Sequence, residues 1–431
     1  MIIKKIIKDI RSKKAKIGII GLGYVGLPLA ILFAKKDFRV IGFDTDKKKI
    51  QALNKKKSYI DRISSSQVKQ IFKKGFCTYD FSHITECDCI IICVPTPLKK
   101  NQPDLSFIKY TITSILKYLK KEQLIILEST SYPGTTRELV VNKVSKIFDI
   151  GKNFYIGFSS ERINPGINEN SLHQIPKVIS GSSKMCLKVI SELYKKVFNK
   201  VVLSNSLEIA EFSKLLENIY RSVNIGFMNE MKFIADKMNL DIFEILKIAK
   251  TKPYGFNAFD PGPGVGGHCI PIDPEYLYWK SKKLGIEAKF IKLSAQTNHN
   301  VTSFIITKIK KLVKDSYSNK KKIKILILGV TYKKNVDDLR ESSGIKLIKN
   351  LKKNNYVIDF SDPYVAKKIL VRDFKTNRLG INITPNKLKT YDITILMTDH
   401  DKFDYRMIYR YSKKIIDCRG KYPVDHKVIR A

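Results

Sequence analysis

Residues 16–46 read KIGIIGLGYVGLPLAILFAKKDFRVIGFDTD. Ile17 to Ile20 make a short apolar run suited to a buried strand. Gly21, Gly23 and Gly26 follow in the order G-x-G-x-x-G, residues 27–36 are spaced for a helix, and residues 38–43 predict a second strand that ends on Asp44. Strand, glycine turn, helix and strand with a terminal acid together form the dinucleotide-binding βαβ unit. Gly21 permits the tight turn, Gly23 lets the backbone approach a pyrophosphate, and Gly26 lets helix and strand pack closely. Tyr24 and Val25 complete the loop. The helix N-terminus offers free N–H groups and partial positive charge to phosphates. Asp44 stands 18 residues after Gly26. A carboxylate there accepts hydrogen bonds from an adenosine ribose and repels a 2′-phosphate, so the expected coenzyme is NAD rather than NADP.

Strand signals continue along the chain: CIIICVPTP (89–97) with Thr96 in the following loop, LIILEST (124–130), NFYIGFSSERINPG (153–166), KVISG (177–181) and KVVLS (200–204). Helical periodicity then runs for more than 30 residues without proline from about 206. A second strand–loop–helix–strand unit begins near 323, and its turn lacks G-x-G-x-x-G. The expected fold is α/β: two Rossmann-like doubly wound domains joined by a central helical domain with a long helix. The expected divisions are 1–204, an NAD-binding Rossmann domain; 205–300, a central helical domain; and 301–431, a C-terminal Rossmann-like domain. A cleft between two such halves is a favoured ligand position.

The 431 residues and 43% hydrophobic content suit two or three domains with cores. No apolar run approaches the ~20 residues of a membrane span, and MIIKKIIKDIRSKKAK lacks the apolar core of a signal peptide. That opening segment reads as a solvated helix, and the chain as cytoplasmic. Seven cysteines are too few and too scattered for a disulfide framework. Cys87, Cys89 and Cys93 cluster along one strand, but no further histidine or cysteine group completes a four-ligand set, so no metal is expected. The formal charge of +40 admits a nucleic-acid partner. The lysines, however, are spread along the whole chain, often as pairs, as a compositional bias toward Lys, Ile and Asn would leave them. No nucleic acid is expected, and the excess charge helps attract an anionic substrate.

A second stretch carries chemistry: FDPGPGVGGHCIPIDPEYLYW, residues 259–279. Glycines and prolines surround Cys269, and Asp273 follows four residues later. Glycines on its N-terminal side leave N–H groups free and let a substrate approach the backbone. If a helix begins at about Ile270, the thiol lies near its N-terminus, where thiolate is favoured. Adjacent residues point apart, so His268 reads as a wall and not as a base. A nucleophilic thiol beside a hydride acceptor suggests oxidation of an alcohol to an aldehyde, thiol addition, a second oxidation to a thioester, and hydrolysis to an acid.

These residues resemble the nucleotide-sugar 6-dehydrogenases, the superfamily of UDP-glucose, UDP-N-acetylhexosamine and GDP-mannose dehydrogenases. The matching blocks are IGLGYVGLPLA (19–29), CVPTPL (93–98), LESTSYPGTT (127–136), SSERINPG (159–166), FSKLLENIYRSVNIGFMNEM (212–231), PGPGVGGHCIPIDPEYL (261–277) and TYKKNVDDLRESSG (331–344). The forms SSERINPG, TKPYGF and PGPGVGGHCIPIDP look most like the UDP-N-acetyl-D-glucosamine 6-dehydrogenase branch. The resemblance implies Cys269 as nucleophile and Asp273, with a water, as base. It also implies Lys214 and Asn218 as oxyanion stabilisers, whose i, i+4 spacing independently puts them on one helix face. Glu161 is implied as activator of the hydrolytic water, and Ser131, where relatives usually carry threonine, as a water-positioning hydroxyl. For the nucleotide sugar the resemblance implies Arg162, Ile163, Asn164, Lys214, Asn218, Tyr254, Phe256, Phe259, Gly264 and Lys333. Arg340 is implied on the coenzyme side with Gly21, Gly23, Tyr24, Val25, Gly26, Asp44 and Thr96. A bland reading of Arg340 pairs it with Asp337 or Glu341. A homodimer through the central helix is implied as well, which makes 205–300 the dimerisation and catalytic domain and 301–431 the UDP-sugar-binding domain.

The expected function is NAD-dependent four-electron oxidation of the C6 hydroxyl of UDP-N-acetyl-D-glucosamine through a Cys269 thiohemiacetal and thioester, supplying a polysaccharide or glycan precursor. UDP-glucose and UDP-N-acetyl-D-mannosamine are the alternative substrates. A nucleic-acid-binding protein and a catalytically dead nucleotide sensor are the alternative functions.

Overall fold

The computed structural model describes residues 4–60, 62–162, 169–354, 356–365, 370–371, 374–375 and 380–431. Two compact units divide the chain: Met1–Glu217 with Glu275–Gly285, and Asn218–Pro274 with Ile286–Ala431. The helices used below are α1 (Lys5–Arg11), α2 (Gly26–Lys35), α3 (Lys184–Tyr194), α4 (Leu207–Lys237), α5 (Ile242–Ala249), α6 (Asp273–Lys283), α7 (Lys289–Tyr317) and α8 (Ser343–Leu351).

Among the described residues the first unit holds one eight-stranded sheet. Its strands are β1 (Lys16–Ile20), β2 (Arg39–Phe43), β3 (Phe76–Thr78), β4 (Cys89–Ile92), β5 (Leu124–Leu127), β6 (Tyr155–Ser159), β7 (Lys177–Gly181) and β8 (Val201–Ser204). They lie in the order β8-β7-β6-β5-β4-β1-β2-β3. All neighbours run parallel except β6 and β7, which are antiparallel. The sheet is thus mostly parallel as expected, with a reversed pair at one edge. Strands β4, β5 and β6 are buried along their whole length. A sheet covered on both faces demands such unbroken apolar runs rather than alternation. Between β1 and β4 the strand order reverses direction, and the loops after both strands meet at the carboxyl edge, where α/β sheets hold ligands.

Helix α1 departs from the reading of a solvated N-terminal helix. Ile6, Ile7 and Ile10 are buried in the sheet's core cluster with Val189 and Leu193 of α3, and Arg11 pairs with Glu192 of α3 at 2.7 Å. Three isoleucines on one face, each contributing about 1.5–3 kcal/mol when fully buried, make α1 part of the fold, with its lysines outward.

Among the described residues the second unit carries a five-stranded parallel sheet: β9 (Ile323–Leu328), β10 (Tyr356–Ser361), β11 (Ile393–Leu396), β12 (Lys414–Asp417) and β13 (Val428–Arg430), ordered β10-β9-β11-β12-β13. Its first turn repeats the first unit's bond for bond. Gly21 N donates to Phe43 O at 2.8 Å, and Gly329 N to Ser361 O at 2.8 Å. Leu22 N donates to Asp44 Oδ2 at 3.0 Å, and Val330 N to Asp362 Oδ2 at 2.7 Å. Both turn glycines have positive φ, 91° and 77°. The second turn lacks the G-x-G-x-x-G spelling as read, but Gly329 and Gly344 take the places of its first and third glycines across a longer loop. A Cβ on Gly344 would stand 3.1 Å from Gly329 O, as one on Gly26 would stand 1.9 Å from Gly21 O.

Candidate active site

In the first unit the three glycines of the turn have separate physical reasons. Gly21 holds φ 91°, which favours glycine, and a Cβ there would meet the Cys93 carbonyl oxygen at 2.7 Å. Gly26 is forced by the 1.9 Å approach to Gly21 O. A Cβ on Gly23 would meet nothing within 4 Å, so the missing side chain leaves open space over the backbone. A pyrophosphate seated on a helix N-terminus needs that space. Tyr24 lies under Arg62, whose guanidinium carbon is 5.1 Å from the ring centroid, and Val25 precedes α2 directly. Asp44 closes the cradle. Its Oδ2 accepts from Leu22 N and from Lys49 Nζ at 3.2 Å, and its Oδ1 from Asp46 N at 2.9 Å. This donor set fits NAD: turn N–H groups for the phosphates, a carboxylate for the ribose. Thr96, in the loop after β4, is buried, and its carbonyl accepts from the Tyr276 hydroxyl of α6.

The carboxyl ends of β5 and β6 carry Ser131 and Glu161. The Ser131 hydroxyl is buried with no hydrogen-bond partner in the protein, as is the neighbouring Ser160 hydroxyl. Such orphaned groups are rare and suit a bound water or ligand. Glu161 Oε2 accepts from Lys177 Nζ at 3.0 Å, and Lys177 also donates to Glu128 Oε2 at 2.9 Å. Arg162 donates through Nε to Glu217 Oε2 at 3.3 Å and through Nη1 to Pro176 O at 3.1 Å. Ile163 and Asn164 lie outside the described residues. Lys214 on α4 is buried, and its ammonium has no hydrogen-bond or ion-pair partner among the described residues. A buried cation in that state calls for an anion. One turn before it, Glu211 anchors α4, accepting from Gly134 N at 2.6 Å, Thr136 N at 2.8 Å and Thr136 Oγ1 at 2.6 Å.

In the second unit Asn218 and Asp273 are brought together, both buried. Cys269 is exposed and its thiol is reduced. Its carbonyl accepts from Ile272 N at 3.1 Å and Asp273 N at 2.8 Å. Helix α6 therefore starts at Asp273 rather than Ile270, and a turn leading into it is closed on the Cys269 carbonyl. The other cysteines are inert by comparison: burial pushes the Cys77, Cys87 and Cys418 thiols up to about 12 and holds Cys93 well above its ordinary value. Among the described residues no group of histidines, cysteines and carboxylates could hold a metal ion.

The glycines before Cys269 have a packing duty beyond the one expected of them. A Cβ on Gly266 would stand 2.7 Å from Tyr332 Cβ, and one on Gly267 2.8 Å from the Tyr332 ring. Gly267 N donates to Arg340 O at 2.9 Å. A Cβ on Gly264, whose φ is 111°, would meet Ser343 Oγ at 3.0 Å. Earlier in the loop, Gly262 is clamped from α4: its N–H donates to Asn229 Oδ1 at 3.1 Å and its carbonyl accepts from Lys232 Nζ at 3.0 Å. Burial lowers Lys232 to about 8, and nearby Arg419 pushes the same way. His268 is lowered to about 4 by burial and by Arg340, so it is neutral near pH 7, in keeping with a wall. Arg340 pairs with Asp338, through Nε at 3.0 Å and Nη2 at 2.6 Å. Burial and Arg221 lower Lys333. Tyr254 is exposed, Phe256 and Phe259 pack partly against the α4–α5 cluster, and Phe259 lies edge-on to Tyr220 at 5.8 Å.

Lys177, Glu128, Tyr194, Glu211, Asn229, Lys232 and Tyr276 went unread in the sequence. A lysine opening a strand in a lysine-rich chain carries no mark of burial. Only the acid pair Glu128 and Glu161, each just past a largely apolar strand, hints that a buried cation must answer them.

No helix among the described residues is long and apolar enough to cross a membrane. Models of the UDP-glucose/GDP-mannose dehydrogenase family match the chain in three parts: the NAD binding domain at residues 15–198, the central domain at 208–300 and the UDP binding domain at 326–428. A UDP-N-acetyl-D-glucosamine 6-dehydrogenase of Pseudomonas aeruginosa is 33% identical over 395 residues, 91% of this chain and 92% of that one. A UDP-N-acetyl-D-mannosamine dehydrogenase of Campylobacter jejuni is 34% identical over 404 residues, 90% and 96% of the two chains. Among solved structures, a UDP-D-ManNAc dehydrogenase from Pyrococcus horikoshii superposes with TM-score 0.85 at 27% identity, covering 96% of this chain and 98% of that one. With a glycine turn and ribose carboxylate fitted to NAD, and family matches along nearly its whole length, the chain belongs to the UDP-glucose/GDP-mannose dehydrogenase family and is an NAD-dependent nucleotide-sugar dehydrogenase.

Proposed function

We propose that this enzyme oxidises the C6 hydroxyl of UDP-N-acetyl-D-glucosamine by four electrons to UDP-N-acetyl-D-glucosaminuronate. One alcohol, two NAD and one water become one carboxylate, two NADH and three protons. NAD, when bound, accepts the hydride of each oxidation. Asp273, through a water, takes the hydroxyl proton. The Cys269 sulfur adds to the aldehyde carbon, and Lys214 and Asn218 stabilise the oxygen that gains charge. After the second oxidation the carbon is held as a thioester. Water activated by Glu161 and positioned by Ser131 replaces the sulfur, which leaves as the thiolate and is free for another turn. Tyr254, Phe256, Phe259, Gly264, Lys333 and the loop of Arg162, Ile163 and Asn164 are assigned to the nucleotide sugar, and Arg340 to the coenzyme. The division 1–204, 205–300 and 301–431 carries these duties in that order.

The observation that carries the reading is the exposed Cys269 thiol at the head of the turn into α6, four residues before an Asp273 that is hydrogen-bonded to Asn218. The deciding experiment supplies purified enzyme with NAD and UDP-N-acetylglucosamine, UDP-N-acetylmannosamine or UDP-glucose. Two NADH per sugar oxidised are expected; one NADH with a stable aldehyde overturns the covalent route.

UDP-N-acetyl-D-mannosamine is the second reading. It is favoured by relatives of that name at 34% identity, level with the glucosamine enzymes at 33%. The motif forms favour the glucosamine branch, and the same panel separates the two.

A homodimer through α4 completes the proposal. Ile209, Phe212, Leu216, Tyr220, Phe227 and Ile234 recur at helical spacing along it and are all exposed. An apolar stripe of that length is normally covered. Light scattering that gives the mass of one chain at micromolar concentration would remove this part.

A further inference from the structure

Behind Glu161 lies a charge cluster that plays no direct part in the proposed chemistry. The Lys177 side chain is 3% exposed, Glu128 0% and Glu161 14%. Lys177 opens β7, beside the strand that delivers Glu161, and its ammonium bridges Glu128 Oε2 at 2.9 Å and Glu161 Oε2 at 3.0 Å. The Tyr194 hydroxyl of α3 donates to the other oxygen of Glu128. The Lys177 ammonium also lies 5.8 Å from the Tyr194 ring centroid and 5.2 Å from that of Phe198. Glu161 Oε1 accepts from Arg162 N at 2.6 Å.

Among the described residues, the charged or titratable groups facing the ammonium come from four elements. Glu128 follows β5, Glu161 follows β6, Tyr194 is on α3, and Cys93 follows β4. Cys93 stays a neutral thiol because burial, and then Glu128, hold it well above its ordinary value. Glu128 is pushed up by its burial, against the pull of Lys177. Lys177 remains charged: burial alone would lower it, but the two carboxylates more than reverse that. A buried cation between two acids is held from both sides, and removing it would leave uncompensated charge in the interior.

We propose that Lys177 is a positioning residue for thioester hydrolysis: anchored by Glu128 and Tyr194, it fixes the rotamer of Glu161, the one partly exposed member of the cluster. The proposal rests on the water-activating role read for Glu161. Of the four members only Glu161 has an exposed edge, so the other three act through it.

The test uses the full enzyme with NAD and UDP-N-acetylglucosamine, or whichever sugar the substrate panel selects. It compares Glu161→Gln, Lys177→Arg, Lys177→Met and the charge-balanced pair Lys177→Met/Glu128→Gln, the last made because Lys177→Met alone leaves two buried carboxylates unpaired and threatens folding. Two quantities are read: the acyl-enzyme accumulated on Cys269 by intact mass, and the Tm. The expected result is that Glu161→Gln accumulates acyl-enzyme. The balanced pair should do so as well, and Lys177→Arg should restore much of the wild-type turnover without it. A lowered Tm with no acyl-enzyme in the balanced pair, while Glu161→Gln does accumulate it, makes Lys177 merely structural and overturns the proposal. No acyl-enzyme in Glu161→Gln removes the role of Glu161 itself, and Lys177 loses its assignment with it.

Discussion

Asn218 donates from Nδ2 to Asp273 Oδ2 at 2.5 Å. The amide of a long helix thereby fixes the orientation of an acid that begins another, and both side chains are buried. The bond needs Asp273 as acceptor and leaves its second oxygen for other partners. Asp273→Asn is expected to lower kcat by about 100- to 10,000-fold, the range of general acid–base catalysis, with a smaller change in KM. Asn218→Asp would set two carboxylates at hydrogen-bond distance, where both cannot ionise easily. Its kcat should fall, and its acid limb should move up by at least about one unit. Steady-state NADH formation across pH checks both variants.

Cys269→Ser tests the covalent step. A serine hydroxyl keeps the size but not the thiolate. Loss of full turnover by about 1,000-fold or more is expected, the scale seen when a nucleophile is removed. Acid release at the wild-type rate, measured by mass spectrometry of the nucleotide-sugar pool, would eliminate the thioester.

Gly26→Ala tests the turn. The added Cβ would lie 1.9 Å from Gly21 O, and only backbone movement relieves such a contact. A loss of about 1–3 kcal/mol is expected from overpacking, together with weaker NAD binding because Gly21 and Leu22 must shift. Thermal denaturation with and without NAD reads both effects. An unchanged Tm and unchanged coenzyme affinity would contradict the close-packing reason for this glycine.

Lys232 predicts a pH dependence of stability. Its folded value, lowered by burial to about 8, lies below its ordinary 10.5. Between those values the unfolded chain binds more protons, so this lysine's contribution to stability grows as pH rises from about 8 to about 10.5 and is lost as pH falls through about 8. Lys232→Met removes the group that titrates. The difference in unfolding free energy between wild type and variant should therefore change across that interval by on the order of 1–3 kcal/mol. Parallel denaturation curves at pH 7, 8, 9 and 10 measure it, and a constant difference refutes it.

The first unit was legible because its decisive residues are adjacent in sequence: three glycines within six positions and an acid at the next strand end. The reversed direction of β7 and β8 was not legible, because KVISG and KVVLS carry no record of which way they run. Nor was the kinship of the second turn, since Gly329 and Gly344 stand 15 residues apart, beyond any compact spelling. Cys269, Asp273, Asn218 and Lys214 were legible as residue types, through spacing and resemblance. Their supporting residues were not. Lys177 and Lys232 are buried cations in a chain whose Lys and Arg number 80, and only folding separates them from the many that keep their solvent. Helix α1 was misjudged for the same reason: among so many lysines, three isoleucines looked incidental.

The two matching turns differ at the acid. The Asp44 side chain keeps 9% of its surface, whereas the Asp362 side chain is sealed at 0%, as is His400 beside it. His400 Nε2 lies 3.1 Å from Asp362 Oδ2, and Asn335 N donates to His400 Nδ1 at 3.0 Å. An imidazole thus occupies the oxygen that a ribose would claim in the first unit. Of two turns with one blueprint, the second has its acid answered from within by its own chain. A dinucleotide in excess has no foothold there, and titration with NADH should saturate at a single equivalent per polypeptide.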